Sequence, residues 1–310
     1  MKYFIITVDT EGDNLWDWEP GAEIKTENAK CIPQFQELCE KFAMPPVYLV
    51  NYEMAMDASF AKYIGEKALH RRCEIGMHLH AWNSPPDYEL PKRYNGNPYI
   101  IEYPKEVIIE KHTALKKILE DRFNSSIVSY RSGRWASNEV LYDVLTGLGF
   151  LVDCSVTPQI SHAQLHGMSI SGGSDYKESP LSAYMINNSL MEVPMTTRWK
   201  RSLHGVSLKN RVKNLVIGKS VWMRPAVQTF EDMKNLVSDV EKDGSDYVEF
   251  MIHSSELMPK GSPYCQTQED IRVFYSKMEQ VFSYMKDHGY SGITLHDYYN
   301  SHIAKLNRKQ

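Results

Sequence analysis

No apolar run in the 310 residues approaches the roughly 20 that a membrane-crossing helix requires, so no span is expected. Cysteine is scarce and unpatterned. The five thiols, Cys31, Cys39, Cys73, Cys154 and Cys265, are odd in number and contain no C-x-x-C pair. That argues against a disulfide framework or a cysteine zinc site and for buried thiols in a reducing cytoplasm. Excess charge of one sign is also missing: 35 Lys and Arg against 39 Asp and Glu leave a net charge of -4, which gives no general affinity for nucleic acid. The opening MKYFIITVDTEG is apolar for too short a stretch to form a signal-peptide core, and acids arrive where a small-residue cleavage site would stand. The chain carries neither an internal repeat nor a low-complexity tract.

What the chain does have is an alternation of short β-rich runs with longer stretches of helical period, the pattern of βα units around a parallel sheet. Eight strands are expected: Tyr3 to Asp9, Val47 to Asn51, Cys73 to His80, Ile127 to Arg131, Phe150 to Ser155, Met191 to Thr196, Tyr247 to His253 and Gly292 to His296. Three helices announce their own ends. Thr229 and Thr267 each stand three residues before an aspartate, Asp232 and Asp270, as capping residues do. After Thr267, the positions Ile271, Phe274, Met278, Val281, Phe282 and Met285 follow one helical face up to Gly289. Asn138 to Leu148, with Gly149 behind it, repeats the pattern. These stripes read as core. The fold class expected is α/β, a single distorted (β/α) barrel of seven or eight strands spanning 1–310 as one domain.

In such a barrel, reactive groups gather where strands end. The first expected strand ends in Asp9 and Glu11, the third in His78 and His80, the fourth at Arg131, and the seventh at His253; the fifth passes Asp153. His78 and His80 are two residues apart on an extended chain, so both imidazoles project to one side. With the Glu11 carboxylate they make a three-ligand set suited to a divalent first-row ion of the zinc type, with one position left for water. Taken singly, any of these histidines reads as an ordinary polar residue at a strand end.

Taken together, "TVDTEGD", "EIGMHLHAW", "YRSGRW", "VDCSVTP" and "IHSSELMPKGSPY" resemble the polysaccharide deacetylases, the carbohydrate esterase family four group with the chitooligosaccharide deacetylase homology domain. The resemblance runs from Thr7 to Tyr264. It implies a distorted barrel and the metal-dependent removal of an acetyl group from an N-acetylated sugar. Asp9 matches the family's base, and Glu11, one position late, its acidic ligand. His78 matches the first histidine ligand, but Trp82 stands where the second is usual, and His80 takes that place. Arg131 matches the arginine that orients the base. The backbone N–H near Arg134 falls where the family stabilises an oxyanion. Asp153 matches the acid beside the catalytic histidine, and His253 that histidine, the general acid. Trp16, Trp18, Trp82 and Trp135 fall in the motif loops, where flat faces suit pyranose rings; Trp82, Trp135 and Arg134 are the expected substrate contacts.

One stretch stands apart. Residues 198–224 hold eight Lys or Arg and no acid, and Leu208, Val212, Leu215 and Val216 share one face of a helical pattern. This basic helical excursion reads most simply as a solvated helix; the sharper expectation is contact with phosphate, on a nucleotide-linked or lipid-linked sugar or at a membrane surface. Three other functions fit parts of the pattern. An amidohydrolase places its His-x-His pair on the first strand, whereas here it is on the third. A hydrolase of small cyclic amides or ureides on the same barrel and a non-catalytic carbohydrate-binding protein stay open.

Overall fold

The computed structural model describes residues 1–16, 22–201 and 218–307. Strand β1 (Lys2–Thr10) is the axis of a nine-stranded sheet. One edge of β1 pairs along its length with β10 (Tyr247–His253); the other is shared by β2 (Pro46–Val50) and β11 (Tyr290–Gly292). From β2 the order continues through β3 (Glu74–Leu79), β4 (Ser129–Ser132), β5 (Val152–Asp153) and β7 (Met191–Glu192). All these pairings are parallel, and only β6 (Tyr184–Met185) runs antiparallel, against β7.

The sheet curls, and its interior is filled as the period of two dictates. Alternate residues of β1, Phe4, Ile6 and Val8, face outward into the main core under the helices, while Tyr3 and Ile5 face inward with Val47, Leu49, Val152, Met191 and Tyr247. Leu295 and Tyr298 of the C-terminal helix (Leu295–Asn307) pack against the inner set and close the lower end. No ladder joins β7 to β10. The gap is bridged by single bonds, from the Glu249 N–H to Thr196 Oγ1 (2.9 Å) and from the Met251 N–H to the Met223 carbonyl (3.1 Å). The expected distorted barrel is therefore present, with eight parallel strands once β6 is set aside.

Helices α1 (Ile32–Lys41), α2 (Tyr52–Met56), α3 (Ala58–Leu69), α4 (Lys105–Phe123), α5 (Glu139–Gly147), α6 (Phe230–Lys242) and α7 (Gln268–Asp287) lie between the strands. The sequence caps hold. Thr229 and Thr267 accept from the N–H groups of Asp232 and Asp270 (both 3.1 Å), and Asn138 accepts from that of Leu141 (2.9 Å). Each such cap contributes about 1 kcal/mol. The six apolar positions expected on α7 are all buried. No helix among the described residues is long and apolar enough to cross a membrane.

Three expectations need correction. The last strand does not run from Gly292 to His296: it stops at Gly292, Thr294 Oγ1 accepts the Asp297 N–H (3.3 Å), and a helix starts at Leu295. The fifth and sixth strands contract to two residues each; past β5 and β7 single backbone bonds continue, such as Met195 N–H to the Val156 carbonyl (2.9 Å), and only the chain after β7 reaches into the barrel gap, through Thr196. The described ends of the basic stretch are extended, not helical: β8 (Thr197–Lys200) and β9 (Lys219–Trp222) form an antiparallel pair. Their cations are neutralised, Arg198 by Asp243 (2.6 Å), Lys200 by Asp239 and Lys219 by Asp232 (3.6 Å). Leu208, Val212, Leu215 and Val216, with Lys209, Arg211 and Lys213, lie outside the described residues, as does Trp18.

Two stability predictions follow from the packing of the sheet. A Cβ at Gly76, in the middle of β3, would lie 2.9 Å from the Ser129 carbonyl oxygen and 2.7 Å from Leu49 Cδ2, whereas one at Gly147 would meet nothing within 4 Å. Gly76→Ala therefore costs about 1–3 kcal/mol in urea unfolding, as overpacking does, and Gly147→Ala is neutral or stabilising by up to about 1 kcal/mol. Equal effects of the two would contradict the register.

The second concerns Asp153 and Glu192, register partners on β5 and β7 and fully buried. Burial raises both carboxyls, and the neighbouring Asp153 charge raises Glu192 further, well above its ordinary value. An acid whose folded pKa is raised holds its proton more tightly in the fold, so its stabilising effect is complete at low pH and is lost as pH rises. Glu192→Gln mimics the protonated pair. Its melting temperature relative to the unmodified protein is thus expected to rise between about pH 5 and pH 8; a difference that does not change with pH would refute the shared proton.

Candidate metal and acid-base site

At the C-terminal ends of the strands the barrel interior changes from apolar to ionic. Thr7 and Asp9 continue the inward-facing series of β1, and both are buried. Between them and β5 lies Arg131, fully buried on β4. Its Nη1 donates to Asp9 Oδ1 (2.6 Å), its Nη2 to Thr7 Oγ1 (3.0 Å) and to Glu249 of β10, and its Nε to the Cys154 carbonyl (3.1 Å). Burial alone would raise the Asp9 carboxyl, but the Arg131 guanidinium outweighs it and holds the group below its usual range. Glu249 is pushed up to about 7 by burial, only partly offset by Arg131.

One layer above, Glu11, His78 and His80 converge. His80 Nε2 lies 2.7 Å and His78 Nε2 3.5 Å from Glu11 Oε2, and the two imidazole nitrogens are 3.0 Å apart. Four-coordinate zinc with bonds of about 2.0–2.1 Å sets its ligand atoms roughly 3.3 Å apart. The observed spacings bracket that figure. The donor set also fits in its second layer: His78 Nδ1 donates to the Arg131 carbonyl (3.0 Å), which leaves Nε2 as a free lone pair aimed into the cluster. Against burial, the imidazoles draw the Glu11 carboxyl well below its ordinary range. Burial lowers His80, while Asp9 and Glu11 overcome burial at His78 and raise it. These three side chains can hold a divalent cation.

Across the cluster, His253 at the end of β10 points Nε2 at Asp9 Oδ2 (3.9 Å) and Glu11 Oε1 (3.8 Å). The expected sites Asp9, Glu11, His78, His80 and His253 thus line one cavity, with Arg131 buried beneath it against Asp9. The cavity is also lined by Trp16, Trp82, Trp135, Asn97 and Arg134, with a volume of about 310 Å³. Trp16 packs edge-on against His253 (5.0 Å between centroids), Trp82 against His80 (4.3 Å), and Trp135 over the Arg131 guanidinium (5.0 Å). Arg134 stacks on Tyr99 (3.9 Å) and donates to the carbonyls of Asn97 and His166. Arg134 and Trp135 both hold positive φ, 58° and 59°, a conformation that costs L-residues energy and here turns the chain across the cavity mouth. Gly133 permits it: a Cβ there would sit 2.6 Å from His80 Nδ1.

Asp153 is the exception. It accepts from Ser155 Oγ (2.5 Å) and pairs with Glu192, one layer below the cluster, and the carboxylate beside His253 is Glu256 (3.7 Å from Nδ1). The sequence carried that signal in the spacing of H-S-S-E, which puts an acid three residues after the histidine and within one turn of it. It carried none for Arg224, counted there as the end of the basic stretch. The structure sets Arg224 in the cavity wall, Nη2 at 3.0 Å from His253 Nδ1 and 2.5 Å from Glu256 Oε1.

No protein-family model matches the chain, and no curated protein matches it. Solved structures do. One is a family 4 acetyl xylan esterase of Clostridium thermocellum in complex with a cobalt ion, at 12% identity and a TM-score of 0.48, over 96% of this chain and 91% of the other. Another is the catalytic domain of a peptidoglycan N-acetylglucosamine deacetylase of Eubacterium rectale, at 12% and 0.44, over 95% and 88%. A third is a carbohydrate esterase family 4 pseudoenzyme of Bacillus anthracis, at 9% and 0.47, over 96% and 65%. The chain is similar to these carbohydrate esterase family 4 structures along nearly its whole length.

Proposed function

We propose that the chain is a metal-dependent hydrolase that removes an acetyl group from an N-acetylated sugar or glycan precursor. The observation that carries this reading is the buried meeting of Glu11, His78 and His80 with an arginine-clamped carboxylate, Asp9, on one side and His253 on the other. The motif resemblance supplies the choice of an acetamide as the bond to be cut.

An amide resists hydrolysis because its nitrogen donates into the carbonyl, so catalysis must strengthen the nucleophile, stabilise a tetrahedral oxyanion and aid a poor leaving group. A divalent ion held by Glu11, His78 and His80, zinc on this reading, supplies Lewis acidity toward the carbonyl and the attacking water. Asp9, kept ionised and oriented by Arg131, accepts the proton of that water. His253 presents Nε2 from the opposite side as the donor to the departing nitrogen. The backbone at Arg134 borders the same space as a candidate oxyanion donor, and the faces of Trp16, Trp82 and Trp135 are suited to the apolar sides of a pyranose. A site in the reducing cytoplasm fits the five free cysteines, four of them buried. A phosphate link on the sugar rests only on the basic stretch, of whose described cations Arg198, Lys200 and Lys219 are already paired.

The test is release of acetate from N-acetylated sugars and their oligomers, with and without chelator, beside a panel of small ureides and imides. Turnover of ureides alone would replace the substrate; glycan binding with neither metal nor turnover would replace the enzyme. Within the active protein, Asp9→Asn should keep its metal content by elemental analysis while kcat falls by about 10²- to 10⁴-fold, the usual worth of a positioned base. His78→Ala should lose both metal and activity. A fully active Asp9→Asn protein would reject the base, and a fully metallated His78→Ala protein the ligand set.

A further inference from the structure

Arg224 sits beside His253 because the chain after β9 is stitched to the barrel: the Met223 N–H donates to the Thr196 carbonyl (3.0 Å), and the Met223 carbonyl accepts from Met251 of β10 (3.1 Å). The side chain is largely buried, 12% exposed, with its guanidinium near the rings of Trp16 (5.7 Å) and Tyr264 (5.4 Å). Its Nη2 reaches both His253 Nδ1 (3.0 Å) and Glu256 Oε1 (2.5 Å). Glu256 is itself fixed, since its other oxygen accepts from the His253 N–H (3.0 Å).

A guanidinium has five N–H donors and no acceptor, so the ring nitrogen it meets must accept. That nitrogen is Nδ1. The ring proton then belongs on Nε2, the nitrogen that faces Asp9 and Glu11. Glu256 alone would have the opposite effect. A carboxylate beside Nδ1 draws the proton to that nitrogen and leaves the far one bare, as the buried aspartate does in the Ser-His-Asp triad. Here Glu256 lies 3.7 Å from Nδ1, with the arginine claiming the contact.

We propose that Arg224 is a positioning residue that fixes His253 in its Nε2–H form, so that the ring offers the cavity a hydrogen-bond donor rather than a bare nitrogen. Glu256 holds Arg224 in place and keeps it from moving into the cavity. The purpose of that donor, a hydrogen bond to the departing nitrogen rather than the transfer of the ring's own proton, rests on the function proposed above; the tautomer does not.

The experiment is long-range ¹H–¹⁵N correlation of the full chain labelled in histidine, at mildly alkaline pH, with His253 assigned by its loss in His253→Gln. The unmodified protein should show His253 with a protonated Nε2 and an unprotonated Nδ1. In Arg224→Met the pattern should move toward Nδ1–H as Glu256 takes over, and Arg224→Lys, which can still only donate, should restore much of the Nε2–H form. Where N-acetylated sugar is turned over, Arg224→Met should lose at least about 10²-fold in kcat with KM little changed, and Arg224→Lys should recover part of it. Nδ1–H in the unmodified protein, or an unaltered pattern in a folded Arg224→Met, overturns the proposal; the first outcome decides even if Arg224→Met does not fold. So does a changed tautomer with undiminished kcat. Failure of every sugar assay with the tautomers as described would instead count against the deacetylase reading alone.

Discussion

The fully buried guanidinium of Arg131 is the interaction on which the upper half of the barrel depends. It stands on β4 yet bonds to β1 through Thr7 and Asp9, to β10 through Glu249 and to the chain beyond β5 through Cys154, while its backbone carbonyl fixes the His78 ring of β3. Five chain segments thus take their relative positions from one side chain and its peptide. Burying a cation is costly unless its charge is matched and every donor satisfied, and here two carboxylates do the matching. The arrangement is stable only as a set. Removing the arginine would leave two carboxylates facing each other without water, and removing Asp9 would leave Glu249 as its only acidic partner.

Above this set the geometry is strained to fit the cluster. Gly133 lacks the Cβ that would strike His80, and the next two residues, Arg134 and Trp135, accept left-handed backbone. In return Trp135 covers Arg131 and shields the ion network from the cavity. Backbone strain of this kind persists where surrounding contacts over-determine it, and the stacking of Arg134 on Tyr99 and its bonds to Asn97 and His166 are those contacts. One wall of the cavity is thereby built from the short segment, Ser132 to Trp135, that directly follows the arginine beneath its floor.

How much of this was legible in the sequence depends on how local each signal is. β1, β3 and β10 read correctly because alternation and apolar runs are local, and His78 and His80 could be assigned to one side because two residues of strand return a side chain to the same face. The helix caps read correctly for the same reason. The two-residue strands β5 and β7 read too long in the sequence, since their apolar flanks Cys154, Val156, Val193 and Met195 stay buried beyond the end of the ladder. Analogy of motif assigns Asp153 to His253, but the packing sets it beside Glu192 and seats Glu256 by the histidine. Arg224 has no local signal, since it reads only as the last cation of a basic stretch, and the bonds that carry Met223 onto β10 are what bring it to the site.

The distribution of charge explains why the cluster could hold a cation. Arg131 is matched by Asp9 and Glu249, and Arg224 by Glu256, which the nearby guanidinium holds, against burial, at about 2. Glu11 is left over. It is 4% exposed, and no Lys or Arg among the described residues pairs with it; its carboxylate oxygens face the imidazoles of His78, His80 and His253. Two of those, at His78 and His80, cannot both carry a proton 3.0 Å apart without repelling each other. A buried carboxylate must otherwise be protonated or compensated, and neighbours that lower its pKa exclude the first course. A divalent ion held by all three would remove the conflict at once, because it would neutralise Glu11 and use both imidazoles as neutral donors. The same reasoning explains why Asp9, one layer down, need not be a ligand. Its charge is already matched by Arg131, and its second oxygen faces His78 Nε2 (4.0 Å) and His253 Nε2 (3.9 Å).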